Sequence, residues 1–457
     1  MWNHSCAPSQ YFLIQLTQLA VGRTEPPKRP LGMVPRGSIK KFNTNISDSI
    51  LGLINENAKP CEDFYDFACG KWNEKNPIPS DLKNFNIFNK LELKAQEELK
   101  EIFSKDIENS TSEAIIKFRQ YYKACMNVEA INARRSGPLI EKLEKLGYWP
   151  IIHGVRQNEK GKNTSNTIAT NNGLWSEKSY NLTALLAGVT SISDVPIFFN
   201  NIIFTNFKNA SQYIINIDQS ELALKEDYYL ESKKYAKEIN AYKEKMHAKV
   251  ALVAKDANIS ISDKQIVDGV NRIFDFEVEL AGIIDPDKDP HYYPLSKMSD
   301  LFKEIDWNIY YRLLMPKDML FYLDSDPTIN VLEVEYMKKV SSLLERTEKR
   351  TIVDYVLWRY VDEMNELDER YNDINQKFNN KLDGRTSKQQ RWKICGRISY
   401  LNHLTGALYV RKYFPIENRN AANEITENIL KQFIITLKEN DWMDPATKQS
   451  AIEKVSE

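Results

Sequence analysis

The sequence lacks the short patterns by which many enzymes reveal their chemistry. It has no GxGxxG or GxxxxGK[ST] loop to cradle phosphates, no GxSxG nucleophile elbow and no HExxH zinc helix. Histidine is scarce: His4, His153, His247, His291 and His403 are the only five, and none lies within five residues of another. A helix offers two imidazoles to one metal at i, i+4, so no local pair can do so, and each reads as an ordinary surface or core histidine. An excess of one charge is also missing. Lys plus Arg number 62 and Asp plus Glu 63, a formal net charge of −1, which supplies neither a basic face for nucleic acid nor an acidic tail. Glycine (16) and proline (18) are too few for collagen-like or low-complexity classes. Long hydrophobic runs are absent too. Tyr11–Val21 is broken by two Gln and one Thr; it falls short of the about 20 apolar residues that span a bilayer. As a signal-peptide core it has no basic residue before it. Arg23 to Lys41, rich in Pro, Gly and basic residues, reads as a linker.

Cysteine is sparse and widely spaced, at Cys6, Cys61, Cys69, Cys125 and Cys395. Without a CxxC pair, zinc ribbons and thioredoxin-like redox sites are excluded. Cys61-Glu-Asp-Phe-Tyr-Asp-Phe-Ala-Cys69 reads as a short aromatic helix stopped by Gly70. On that helix the two cysteines would stand about 12 Å apart along the axis. A disulfide needs Cα atoms within about 7 Å, so they cannot bond each other. If oxidised, each needs a partner elsewhere, with Cys6, Cys125 and Cys395 as candidates. Asp285, Asp287 and Asp289 imitate the first ligands of an EF-hand loop, but Pro290 and Ser296 stand where that loop needs Gly and Glu, so an ordinary turn is expected.

What is present is helical periodicity and aromatic bulk, with Trp (8), Tyr (23) and Phe (19) sufficient for a large core. Tyr235, Ile239, Tyr242, Met246, Val250 and Val253 step by three and four along one helix face. Ser262 with Gln265 forms a capping box before a helix carrying Ile266, Val270, Ile273, Phe274 and Leu280. One long helical stretch is expected from about Val331 to Met364, with Val340, Leu343, Leu344, Ile352, Leu357 and Val361 inward. Leu91–Phe103, Glu113–Met126 and Ala421–Lys438 read as amphipathic helices. Strand signals are confined to Thr190–Phe207 and Tyr213–Ile217, a plausible hairpin, and Arg156 to Asn172 reads as a break. The expected fold class is mainly α, with a few short strands. Seven Asn-x-Ser/Thr sequons occur, at Asn3, Asn45, Asn109, Asn163, Asn181, Asn209 and Asn258. About four would arise by chance from 40 Asn, and the excess leans towards an extracellular protein.

Cys61-Glu-Asp-Phe-Tyr-Asp-Phe-Ala-Cys-Gly-Lys-Trp72, followed by Asn76-Pro-Ile-Pro79, resembles the start of the ectodomain in the neprilysin and endothelin-converting-enzyme family of zinc metalloendopeptidases. Further similar motifs follow in family order: Phe118–Met126, Ile217–Leu224 with Asp227-Tyr-Tyr229, Tyr355–Arg359, Lys393-Ile-Cys395, Gly406–Val410 and Trp442–Lys448. The resemblance covers about Asn55 to the end. It implies a leader and linker over 1–50, poorly ordered; a strip over 51–80 that packs on a catalytic domain; a large helical lid over 81–440; and the start of a C-terminal region over 441–457. It implies a disulfide between Cys125 and Cys395, and partners for Cys61 and Cys69 that lie beyond Glu457, leaving those two without their expected partners here. It also implies zinc as the cofactor of the complete family member, with HExxH and the other ligands beyond Glu457. This chain is therefore expected to bind no zinc and to contain no catalytic, cofactor-binding or metal residues. Peptides are the implied partners, nucleic acid is not, and the implied location is the plasma membrane (type II, ectodomain outside) or the secreted medium, with glycosylation candidates at Asn45, Asn109, Asn163, Asn181, Asn209 and Asn258. The family often places an Arg after the Pro-Ile-Pro segment to grip a substrate carboxylate; here Lys83 and Asn84 stand there, and neither offers the guanidinium fork. The alternative is a truncated, non-catalytic homologue that binds a peptide or partner.

Overall fold

The computed structural model describes residues 50–105, 112–154, 175–193, 195–206, 208–284, 288–365, 367–396 and 402–456. The expectations for residues 1–49, for the break at 156–172 and for Asp285 and Asp287 lie outside them. The chain is mainly α-helical with one four-stranded sheet, as its periodicity predicts, and forms two compact units: 1–127 with 389–457, and 128–388. The region expected as a single lid, 81–440, is therefore shared between the two units.

In the 128–388 unit, β1 (Phe199–Asn206) and β2 (Asn209–Gln219) make the hairpin, β3 is His291–Pro294 and β4 is Thr328–Val331. The order is β1-β2-β4-β3, with β2 and β4 parallel and the other pairs antiparallel. Asn216 and Asn330 are register partners across the parallel pair, both buried, and Asn330 Nδ2 donates to Asn216 Oδ1 at 2.7 Å. A one-residue slip would bury both amides without that bond, so the pair pins the register.

Helices enclose this sheet as their sequences dictate. Ala236–Asp256 buries Ile239, Tyr242, Met246, Val250 and Val253, and Asp263–Ala281 begins with the capping box of Ser262 and Gln265. The stretch expected as one helix from Val331 to Met364 needs correction. Val331 ends β4, and two helices follow, Val334–Arg346 and Lys349–Glu363, parted at Thr347 and Glu348. All six expected inward positions are buried. The second helix is buried on every side from Ile352 to Val361, Asp354 and Arg359 included, which marks a central core helix.

The 1–127/389–457 unit has a smaller described core: Ile102, Phe103 and Phe118, flanked by Leu99, Ile115, Tyr122, Leu404, Leu408 and Tyr413. The helices Ile87–Lys105, Glu113–Met126, Arg391–Gly396 and Asn402–Tyr413 contribute these residues. The helix Ile416–Glu439 behaves differently. Of its 24 residues only Leu437 is buried.

Candidate functional site

The cysteine segment is shaped by local chemistry. Asp63 caps the helix Phe64–Cys69 by accepting from Asp66 N, and Gly70 closes it in a right-handed conformation. A side chain at Gly70 would meet Asp66 O at 2.5 Å and Asn55 Cβ at 2.9 Å, because Asn55 packs back over the helix and donates to Asp66 Oδ2 at 3.0 Å. Trp72 is buried and its Nε1 donates to Phe85 O at 3.2 Å; Lys83 and Asn84, immediately before Phe85, are exposed. Cys125 is bonded to Cys395 across a sequence separation of 270 residues, and Arg391 Nε donates to Cys125 O at 2.8 Å. Cys61 is a free, exposed thiol. Cys69 is corrected: it is buried and disulfide-bonded, so it does not lack a partner.

The strongest clustering of ionisable groups is buried in the 128–388 unit. Glu277, fully buried, accepts from Tyr242 Oη at 3.0 Å and Tyr229 Oη at 3.3 Å, and burial pushes its carboxyl up to about 7. Trp358 Nε1 supports Tyr242 with a 2.8 Å bond to its Oη. Lys249, also fully buried, donates to Asp362 O and Oδ1 and to Asn365 Oδ1, and burial lowers its ammonium to about 8. Burial alone would raise Asp362, but Lys245 and Lys249 beside it hold it well below the usual range. Asp354 accepts from Ile151 N at 2.8 Å and faces Arg272 and Arg350, while burial pushes it up to about 6. Such shifts often mark catalytic groups. Here each group is saturated by protein partners away from solvent, and an acid or base must reach a substrate proton to act. They are bolts between helices.

The exposed features do not assemble a centre either. A groove of about 760 Å³ between the helices Ala236–Asp256, Asp263–Ala281 and Glu369–Asp383 is lined by Lys243, His247, Lys377 and Lys381 among others. Its polar groups are engaged by near neighbours, Glu244 pairing with both Lys377 and Lys381, Lys243 donating to Asn271 Oδ1, and His247 bonding Asp263. His153 is tied to Trp149 and His291 to Asp289. Among the described residues no three His, Cys, Asp or Glu side chains are grouped to hold a metal ion. Asn181, Asn209 and Asn258 are exposed; Asn45, Asn109 and Asn163 lie outside the described residues. Sequence reasoning missed Glu277, Lys249, Asp354 and Arg359, whose one available signal was a charged residue within an apolar helical run.

Comparison with known proteins gives this arrangement its place. The profile of peptidase family M13 matches residues 60–457. Neprilysin-11 of Caenorhabditis elegans is 30% identical over 446 residues, covering 95% of this chain and 50% of its own length. Endothelin-converting enzyme 1 of Bos taurus is 30% identical over 429 residues, covering 90% of this chain and 52% of its own. The chain thus spans about half the length of the curated relatives it matches. Among solved structures, the zinc metalloprotease Zmp1 of Mycobacterium tuberculosis in complex with inhibitor shares the fold with a TM-score of 0.69 at 18% identity, over 89% of this chain and 57% of that one. PepO of Lactobacillus does so with a TM-score of 0.64 at 16% identity, over 87% of this chain and 59% of that one. The chain belongs to peptidase family M13 and corresponds to the mainly helical N-terminal part of that fold.

Proposed function

We propose that this chain is the N-terminal, lid-bearing region of a neprilysin-like zinc metalloendopeptidase that hydrolyses peptides, with the zinc helix supplied by sequence beyond Glu457. The observation that carries the reading is the helix Ile416–Glu439. Ile425, Ile429 and Phe433, at i, i+4 and i+8, are 61%, 62% and 48% exposed, and Trp442 just beyond is 75% exposed. An amphipathic helix owes most of its stability to packing of its apolar face, so this stripe calls for a further body of protein. Relatives about twice as long provide a candidate for it. The 128–388 unit, with its own core, suits a lid that admits peptides and excludes folded proteins.

Zinc is the metal of the M13 metalloprotease that shares this fold. The residues described here do not fit it: each of His153, His247 and His291 has its own neighbour, and no two converge. No step is therefore derived through the metal. Lys83 and Asn84, exposed where the family often carries an Arg, argue against a preference for a substrate's free carboxylate. Among the described residues no helix is long and apolar enough to cross a membrane; a plasma-membrane or secreted location is part of the proposal. Zinc content and peptide hydrolysis, measured on the protein from its natural source and on purified residues 1–457, test the reading. Metal and activity in the first and neither in the second are expected. Activity in purified residues 1–457 overturns it, as does natural protein without zinc.

A further inference from the structure

The groove of about 760 Å³ in the 128–388 unit is a trench of ligand-site size. The helix Ala236–Asp256 packs against both Asp263–Ala281 and Glu369–Asp383 and forms its floor, with those two as walls. The lining holds three ammonium groups, Lys243, Lys377 and Lys381, against one carboxylate, Glu244. Glu244 is shared, 2.7 Å from Lys381 and 3.5 Å from Lys377, so it neutralises one charge of the two. Lys243 on the floor is half-buried, and among the described residues no carboxylate lies within ion-pair distance of it. Its Nζ donates to the neutral Asn271 Oδ1 at 2.9 Å and lies 4.2 Å from the centre of the Phe274 ring. Burial lowers its pKa, although Asp275 acts against the shift. An ammonium held half out of water without a counter-ion gains from an anionic ligand. The opposite wall offers something different. Val267, facing the trench across from Lys377 and Lys381, is 41% exposed.

The spacing of these groups selects the shape of the ligand. Lys377 and Lys381 stand one helical turn apart, about 6 Å. On an extended peptide, alternate side chains share one face about 6.5 Å apart, and the residue between them points the other way. We propose that this trench is a non-catalytic site for an extended peptide segment of the pattern acid-apolar-acid, its carboxylates shared among Lys243, Lys377 and Lys381 and its apolar side chain against Val267. Two added carboxylates beside Glu244 then balance the three ammonium groups. The choice of a peptide as ligand rests on the peptidase reading above; the charge and the spacing do not.

The probe is a fluorescent hexapeptide, blocked at both ends, with Glu-Val-Glu at its centre, and its binding to purified residues 1–457 is read by anisotropy at low salt. Saturable binding is expected. Lys243→Gln, and Lys377→Gln with Lys381→Gln, should each weaken it about tenfold, with unchanged urea midpoints, and Glu244→Gln should strengthen it by freeing both lysines. A Gln-Val-Gln peptide should bind at least about tenfold more weakly, and Glu-Gly-Glu about threefold. No binding below about 1 mM overturns the proposal, as does binding unchanged in both lysine variants or equal binding of the Gln-Val-Gln peptide. Displacement by inorganic phosphate at equal concentration marks a simple anion site and overturns it too. Neither zinc nor hydrolysis enters this measurement, so its failure leaves the peptidase reading standing.

Discussion

Burial holds three carboxyl groups of the 128–388 unit above their ordinary range: Glu277 and Glu333 at about 7, Asp354 at about 6. For Glu333 the Asp218 carboxylate adds to the burial. Each folded value exceeds the unfolded one, so each contribution is complete below the unfolded value of about 4 and is lost as pH rises through the folded value. The unit should lose stability from pH 5 to pH 8. Glu277 alone accounts for up to about 3 kcal/mol of the change. Urea unfolding across that range should show the decline, and Glu277→Gln should flatten it; a flat wild-type profile contradicts the assignment. Asp256 and Asp362 act in the opposite sense. Arg370 holds Asp256 low, and the lysines beside Asp362 outweigh its burial, so their contribution fails only at acid pH, below the ordinary carboxylate range. Lys249 is lowered to about 8, so its charge costs stability below that pH and the cost fades towards its ordinary value. Gly70→Ala should loosen the segment from Asn55 to Asn76, since no side chain fits between Asp66 and Asn55. Faster amide exchange there, at a cost of about 1–3 kcal/mol, is the expected outcome. These buried charges left one weak signal in the sequence, a charged residue within an apolar helical run, which does not by itself show burial. A Glu or Lys in a helix reads as solvent-facing, and only the tertiary partners, Tyr229 and Tyr242 for Glu277, Asp362 and Asn365 for Lys249, make its burial tolerable.

At the scale of elements, periodicity was legible wherever one face was apolar and the other polar. The helix Ala236–Asp256 buries the stripe from Ile239 to Val253, and Glu113–Met126 has the bounds its sequence suggested. The capping box was legible because it is purely local. Ser262→Ala should cost about 1 kcal/mol in urea unfolding, with no change elsewhere. The split at Thr347 and Glu348 was not legible, because the inward positions stay in plausible register across it and neither Gly nor Pro marks the break. Nor was β4 at Thr328–Val331. Its four residues become a strand through parallel pairing with β2, a contact more than a hundred residues away in sequence. The disulfide is the element-scale feature of the smaller unit. Replacing Cys125 and Cys395 by Ser should destabilise it by about 2–5 kcal/mol, read as earlier proteolysis of the segments around residues 125 and 395. Unchanged proteolysis would show that the Phe103–Phe118 core carries this unit alone.

For the whole molecule, the contrast between the two units matters most. The 128–388 unit surrounds its sheet with a large aromatic core, whereas the other leaves Ile416–Glu439 uncovered. Ile429→Asp with Phe433→Asp should leave the unfolding of residues 1–457 unchanged within about 0.5 kcal/mol, as surface changes do. In a protein continuing past Glu457 the same pair should destabilise by several times that amount. The motifs from Cys61 to Lys448 made the family legible, because M13 identity is written in ordered local signatures. The proposed function was legible only through those motifs, which carry the resemblance on which it rests. The most direct test of the central claim is the transcript read onward from the codon for Glu457. The account predicts an open frame that encodes HExxH and further cysteines, one of them a partner for the free thiol of Cys61. A stop codon immediately after Glu457 would contradict it and leave a protein to be studied as a binder.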